Sequence, residues 1–202
     1  MWPPYFSYDW IMAHVYDNIQ LPPYESIPKQ NVTLGQGTTY YDWPTRAMIE
    51  IYKDYCIPVF QTDTNFTCNL LNVDSIAYII VTDARQTKRP PCCIYQNPWN
   101  PPAPDFLQPG KGVKYNGTGI FIDDSGAERP VVWWGIADPT TPFGYSFFLD
   151  TCKFPSCVPS QFFFSAVTGF ASQFFSNYSL ERPPSSVFTI PPECTSAKPC
   201  DA

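Results

Sequence analysis

Eight cysteines and a single histidine carry most of the reactive chemistry available to this 202-residue chain. The cysteines are Cys56, Cys68, Cys92, Cys93, Cys152, Cys157, Cys194 and Cys200. None of them forms the paired C-x2-C spacing of a zinc site. An even number scattered among loop signals predicts four disulfides instead. Cys92 and Cys93 are poor partners for each other, because adjacent Cα atoms lie about 3.8 Å apart and a disulfide wants roughly 4.4–6.8 Å. Any Ser-His-Asp or Cys-His site would have to use His14, and a lone histidine is usually structural. The stretch Asp123-Asp124-Ser125-Gly126 offers a serine between two strand patterns, where an Asp-Ser-Gly turn is the better reading. Asp123 and Asp124 make a weak glycosidase pair, since adjacent residues of a strand point to opposite faces. Neither a glycine-rich phosphate loop nor an EF-hand loop is present. The reading is non-enzymatic, with no catalytic residue and no cofactor assigned and the metal ligands unknown.

Asparagine supplies a second kind of chemistry. N-x-[ST] acceptors occur at Asn31, Asn65, Asn116 and Asn177. Composition alone would give about 1.3 such sites by chance. The excess agrees with the cysteines in predicting an extracellular, secreted glycoprotein. Met1-Trp2-Pro3-Pro4 lacks the basic and apolar regions of a signal peptide. Either a signal was removed and the numbering restarted, or none existed; the cysteines favour removal. No apolar run approaches the ~20 residues of a membrane span. A net charge of -6 with 15% charged residues argues against binding nucleic acid.

The elements that must position these residues are strands. Aromatic content of 17% and 24 prolines favour strands joined by stiff loops. Residues 1–36 read as a Pro- and aromatic-rich N-terminal arm, with Asp9 capping a short helix that carries Ile11, Val15 and Ile19. Residues 37–202 read as one β domain. Ala47 to Tyr52 alternates, Ile76 to Asp83 is a continuous apolar run, and 88–112 reads as a long proline-rich loop. Strands are then predicted at Gly119–Asp123, Val131–Ile136, Tyr145–Asp150, Ser160–Val167, Phe170–Ser176 and Val187–Ile190. The fold class is all-β, an antiparallel sandwich or half-barrel with at most one or two short helices. Adjacent aromatics such as Trp133-Trp134 and Phe162-Phe163-Phe164 must point to both faces of their strands. Two readings stay open: a filled core plus a dimer interface, or a curved sheet lining an apolar pocket.

The C-terminal half resembles the ependymin family of secreted glycoproteins. A Trp-bearing strand (Trp134) leads to Cys157 with Pro159, and two strands later the chain ends on Phe188-Thr189-Ile190-Pro191-Pro192-Glu193-Cys194. Upstream, Tyr40-Tyr41-Asp42 and "TCNLLNVDSIAYIIVTDARQTKRPPCC" follow the family's order. The likeness covers roughly Gly37 to Cys200 and leaves out the arm. It implies two stacked, curved antiparallel sheets around a deep hydrophobic cavity, similar to bacterial lipoprotein carriers. It also implies secretion or residence in the lysosomal lumen, frequent homodimers, and calcium with no ligands that can be assigned.

With that resemblance the aromatic strands become a pocket for a lipid or other apolar small molecule, lined by Trp134 and some of Phe147, Phe162, Phe164 and Phe174. The resemblance further implies that Cys200 pairs with Cys68 and Cys194 with Cys93 or Cys92, each closing a loop valued at ~4–5 kcal/mol. This chain lacks the family's early cysteine, so Cys152–Cys157 and a bond from Cys56 to the remaining one of Cys92 and Cys93 complete the expected set. The alternative function is a structural subunit of an extracellular assembly, docking through Trp2, Tyr5, Phe6 and Trp10. A carbohydrate-binding sandwich ranks third.

Overall fold

The computed structural model of the protein describes residues 2–16, 21–58, 65–85, 89–106, 112–123, 125–136, 143–152 and 157–200. Ile19 and Asp124, invoked above, lie outside them. The described chain is all-β. In sequence order the strands are β1 (Tyr5–Val15), β2 (Val32–Asp42), β3 (Ala47–Tyr52), β4 (Cys68–Val73), β5 (Ile76–Val81) and β6 (Cys92–Gln96). They continue with β7 (Lys114–Ile122), β8 (Glu128–Ile136), β9 (Phe143–Phe148), β10 (Pro159–Ser165), β11 (Phe170–Ser179) and the short β12 (Lys198–Pro199). The described helical turns are short and of 3-10 type. Hydrogen bonding links the strands in the order β12-β6-β5-β4-β3-β2-β1-β11-β10-β9-β8-β7. The ladder is therefore continuous, and the two expected sheets are not separately paired.

The chain divides into two compact units. The first holds Met1–Pro3, Ile11–Leu34 and Ala103–Ser176; the second holds Pro4–Trp10, Gly35–Pro102 and Asn177–Ala202. Strands β1, β2 and β11 contribute residues to both. The expected arm with a short helix is thereby corrected. Its residues 5–15 form β1, flanked by β2 and β11. Phe6, Tyr8, Trp10 and Met12 are buried at every second position, the period of a strand rather than a helix. Asp9, instead of capping a helix, accepts hydrogen bonds from Thr38 Oγ1 (2.7 Å) and Asn177 Nδ2 (2.9 Å).

Trp10 explains a glycine. Its indole N–H donates to Thr39 Oγ1 at 3.0 Å, and the ring lies where a Cβ on Gly37 would stand, with Ile51 O equally close. Overpacking of this kind costs about 1–3 kcal/mol. Gly37→Ala is expected to lose that much in chemical denaturation, and an unchanged midpoint would refute the close approach.

The second unit is held by its tail. Ala47, Ile49, Leu71, Val73, Tyr78 and Ile80 form an apolar face against which Phe188 and Cys194 are buried. The expected strand Val187–Ile190 is corrected to a 3-10 turn over Ser185–Phe188. The Val187 N–H donates to Pro184 O rather than to a neighbouring strand. Flanking prolines supply no N–H for a ladder, so the chain crosses the sheet as a turn and inserts Phe188 downward. The proline-rich 88–112 stretch, expected as a loop, contains β6.

The four disulfides are Cys56–Cys68, Cys92–Cys194, Cys93–Cys200 and Cys152–Cys157. Cys152–Cys157 is as expected, and Cys194 takes the Cys92 alternative. Two expectations are corrected: Cys68 bonds Cys56, not Cys200, and Cys200 bonds Cys93. Tyr52 of β3 lies opposite Cys68 of β4, so the chain leaving β3 brings Cys56 back beside Cys68. At the other end β12 runs parallel to β6, with Lys198 opposite Cys93, which delivers Cys200 to its partner.

Candidate functional site

The register of β7 to β11 in the first unit lines up one transverse row. Tyr115 stands opposite Trp134, Trp134 opposite Tyr145, Tyr145 opposite Phe162, and Phe162 opposite Gln173. Directly opposed residues of antiparallel strands share a face, so four rings and an amide form a continuous band. The rings touch: Tyr115–Trp134 centroids are 5.7 Å apart and Tyr145–Phe162 are stacked at 4.4 Å. A second row, Ile136, Phe143, Phe164 and Ala171, runs beside it. Phe162 stacks on Phe164 at 5.1 Å, and Phe147 and Phe175 adjoin Tyr145. Trp2 and Phe106 pack edge-on against Tyr145 at 4.9 and 5.5 Å. Trp134, Phe143, Phe162, Phe164 and Phe175 remain half-buried.

The opposite face of the same strands is a filled core. Val131, Trp133, Phe148 and Phe163 are buried together there. Of the expected pocket residues, Trp134, Phe147, Phe162 and Phe164 are brought to the wall. Phe174 is a correction. It stands opposite Gln161, one residue out of step with Phe162, and packs with Ala13, Val15 and Tyr24. Phe175 takes its place on the wall. Tyr145, Phe143 and Gln173 were missed by sequence reasoning, although the period-2 spacing of Phe143, Tyr145 and Phe147 was there to find the first two.

Two buried glutamines sharpen the contrast between the faces. Gln161 is fully buried and spends both ends of its amide on the Tyr24 backbone, accepting from N and donating to O at 3.3 Å each. Gln173 is equally buried, yet neither its Oε1 nor its Nε2 has a hydrogen-bond partner among the described residues. An unpaired buried amide costs about 1–3 kcal/mol. The row therefore offers apolar stacking surface that ends on one donor and one acceptor.

The other candidate residues do different work. His14 Nε2 donates to Thr168 O, and burial lowers its pKa below the ordinary 6.5. The folded state thus keeps His14 neutral where the unfolded chain takes up a proton. That contribution is present above pH 6.5 and is lost as the pH falls through the lower folded value. His14→Gln is expected to flatten the stability profile below pH 6.5, as read by thermal melts from pH 5 to 7.5. Asp123 Oδ1 accepts from the Ser125 hydroxyl and from the Ser125 and Ala127 amides, which makes the serine part of a turn. Asn31, Asn65, Asn116 and Asn177 are all exposed. Among the described residues no group of three or more His, Cys, Asp or Glu side chains is placed to hold a metal.

No family model matches the chain, and no curated protein matches it. Among solved structures, the chain is similar to an uncharacterized conserved protein from Thermus thermophilus. The TM-score is 0.51 at 6% identity, over 96% of this chain and 90% of that one. At that identity the likeness shows the fold alone. Four disulfides, and the finding that no described helix is long and apolar enough to cross a membrane, fit a secreted, disulfide-bonded protein.

Proposed function

We propose that this protein is a secreted glycoprotein of ependymin-like type, not an enzyme, that holds an apolar ligand against the Trp134–Tyr145–Phe162 wall. The observation that carries this reading is the row of rings whose Trp134, Phe162 and Phe164 stay half-exposed on one face of the sheet. A largely apolar, aromatic-lined surface is the usual make-up of a small-molecule site. A planar or elongated apolar molecule would stack on these rings, with Tyr145 and the Gln173 amide buried behind them. The order of motifs from Gly37 to Cys200 supports the ependymin-like part of the proposal, and four exposed glycosylation acceptors and four disulfides support the extracellular or lysosomal part.

Docking of an N-terminal arm onto a neighbouring protein loses its motivation. Trp2, Phe6 and Trp10 are 7%, 2% and 2% exposed and are buried within their own units, which leaves only the half-buried Tyr5 of the four expected docking residues. A carbohydrate site would need several polar groups among the rings, and the row offers one.

The test is a titration with N-phenyl-1-naphthylamine, an uncharged apolar fluorophore. Wild type is expected to bind it, and Phe162→Ala to weaken binding at least about tenfold through lost ring contact. Equal binding by both would remove the wall from consideration. Gln173→Leu carries a separate expectation: replacing an unpaired buried amide by an apolar side chain should raise stability by about 1–2 kcal/mol. Destabilisation instead would mean that the amide is paired.

A further inference from the structure

The second unit contains a cleft of about 550 Å3, within the size range of small-molecule sites. Asp42, Ala47 and Val73 line it from the sheet, and Arg182, Phe188 and Ile190 from the tail. Arg182 is the informative residue. Its Nε donates to Asp42 Oδ2 at 2.8 Å and its Nη2 to Oδ1 at 3.4 Å. The Asp42 side chain is 4% exposed and that of Arg182 is 52% exposed. A buried carboxylate therefore fixes the guanidinium from behind. A guanidinium has five N–H donors, and this side-on pairing uses one on Nε and one on Nη2. The Nη1 and Nη2 hydrogens along the outer edge form a second fork of the shape that matches a carboxylate.

We propose that this cleft binds a small monocarboxylate with an apolar body. The carboxylate meets the outer edge of Arg182, and the body lies on Ala47, Val73, Phe188 and Ile190. Charge sets the limit of one carboxylate. Asp42 already balances Arg182, and Asp74 also lines the cleft, so a dianion would place its second charge against another carboxylate. The tail wall is held by the Cys92–Cys194 disulfide, whose Cys194 follows Ile190 by four residues. This site lies in a different unit from the aromatic wall and goes beyond the function proposed for it.

Calorimetric titration of the oxidised, full-length protein with octanoate tests the proposal, with octylamine and octanol as matched probes. At the cleft octanoate is expected to bind about tenfold or more tighter than either probe, because only it engages the fork. Arg182→Lys, which keeps the charge and loses the fork, is expected to weaken octanoate about tenfold. Ser185→Trp, at an exposed position lining the cleft, is expected to block binding while leaving the ion pair and the melting temperature unchanged. Phe162→Ala should bind octanoate as wild type does. Absence of binding to wild type, equal binding of octylamine, or octanoate binding unchanged in both Arg182→Lys and Ser185→Trp would overturn the proposal. Loss of octanoate binding in Phe162→Ala alone would place it on the aromatic wall, overturning the cleft and leaving the wall standing.

Discussion

Exchanging Cys92, Cys93, Cys194 and Cys200 together for alanine is expected to cost at least about 4–5 kcal/mol of folding stability, read as the shift in urea denaturation. The two bonds close nearly the same loop, with separations of 102 and 107 residues, and the loop-entropy relation gives that magnitude for closing a loop of about a hundred once. Exchanging Cys152 and Cys157, separated by 5, should cost only about 2 kcal/mol by the same relation. The arrangement around β6 adds to the difference. Cys92 and Cys93 are adjacent in a strand, so their side chains leave on opposite faces. Cys92 joins Cys194 in the apolar cluster with Phe188, while Cys93 joins Cys200 beside the parallel β12. The tail thereby grips β6 from both faces and covers an edge that would otherwise present unpaired backbone groups. Equal losses from the fourfold exchange and from the exchange of Cys152 and Cys157 would show that the tail is not what holds the second unit together.

Phe163→Ala is expected to cost about 3–5 kcal/mol, the range for removing a buried aromatic side chain. Phe162→Ala and Phe164→Ala, its neighbours on either side, should each cost less than half of that. Phe163 is 4% exposed and lies in the core with Val131, Trp133 and Phe148. The other two point to the half-exposed wall, where truncation removes ring contacts without opening an enclosed cavity. Melting curves of the three variants, with fluorophore binding measured on the same samples, separate the faces: Phe163→Ala loses stability and Phe162→Ala loses ligand. Comparable destabilisation by all three would mean that both faces are filled core and would remove the proposed wall.

Sequence alone determined what depends on local periodicity and on counting. The alternation of Ala47 to Tyr52 and the apolar run from Ile76 are strands because side chains in a strand change face at every residue. The even number of cysteines gave four bonds, and the acceptor asparagines stand on the surface as a glycan requires. Even β1 was legible, since Phe6, Tyr8, Trp10 and Met12 alternate; the helical spacing of Ile11, Val15 and Ile19 competed with that pattern, and burial favoured the aromatics. Tertiary structure alone decided whatever depends on a partner distant in the chain. Val187 to Ile190 alternates as a strand does, yet a strand exists only where a neighbour completes its ladder, and none does between the two proline pairs. Cys68 turned to Cys56 because the β3–β4 hairpin returns one beside the other. Phe175 rather than Phe174 reached the wall because the β10–β11 register sets Phe174 opposite Gln161 and Gln173 opposite Phe162, and one residue exchanges the faces. Asp42 and Arg182, 140 positions apart, carry no mark of each other in the sequence. Their pairing follows from the path of the tail across the sheet, where a buried carboxylate needs a cation to compensate its lost hydration.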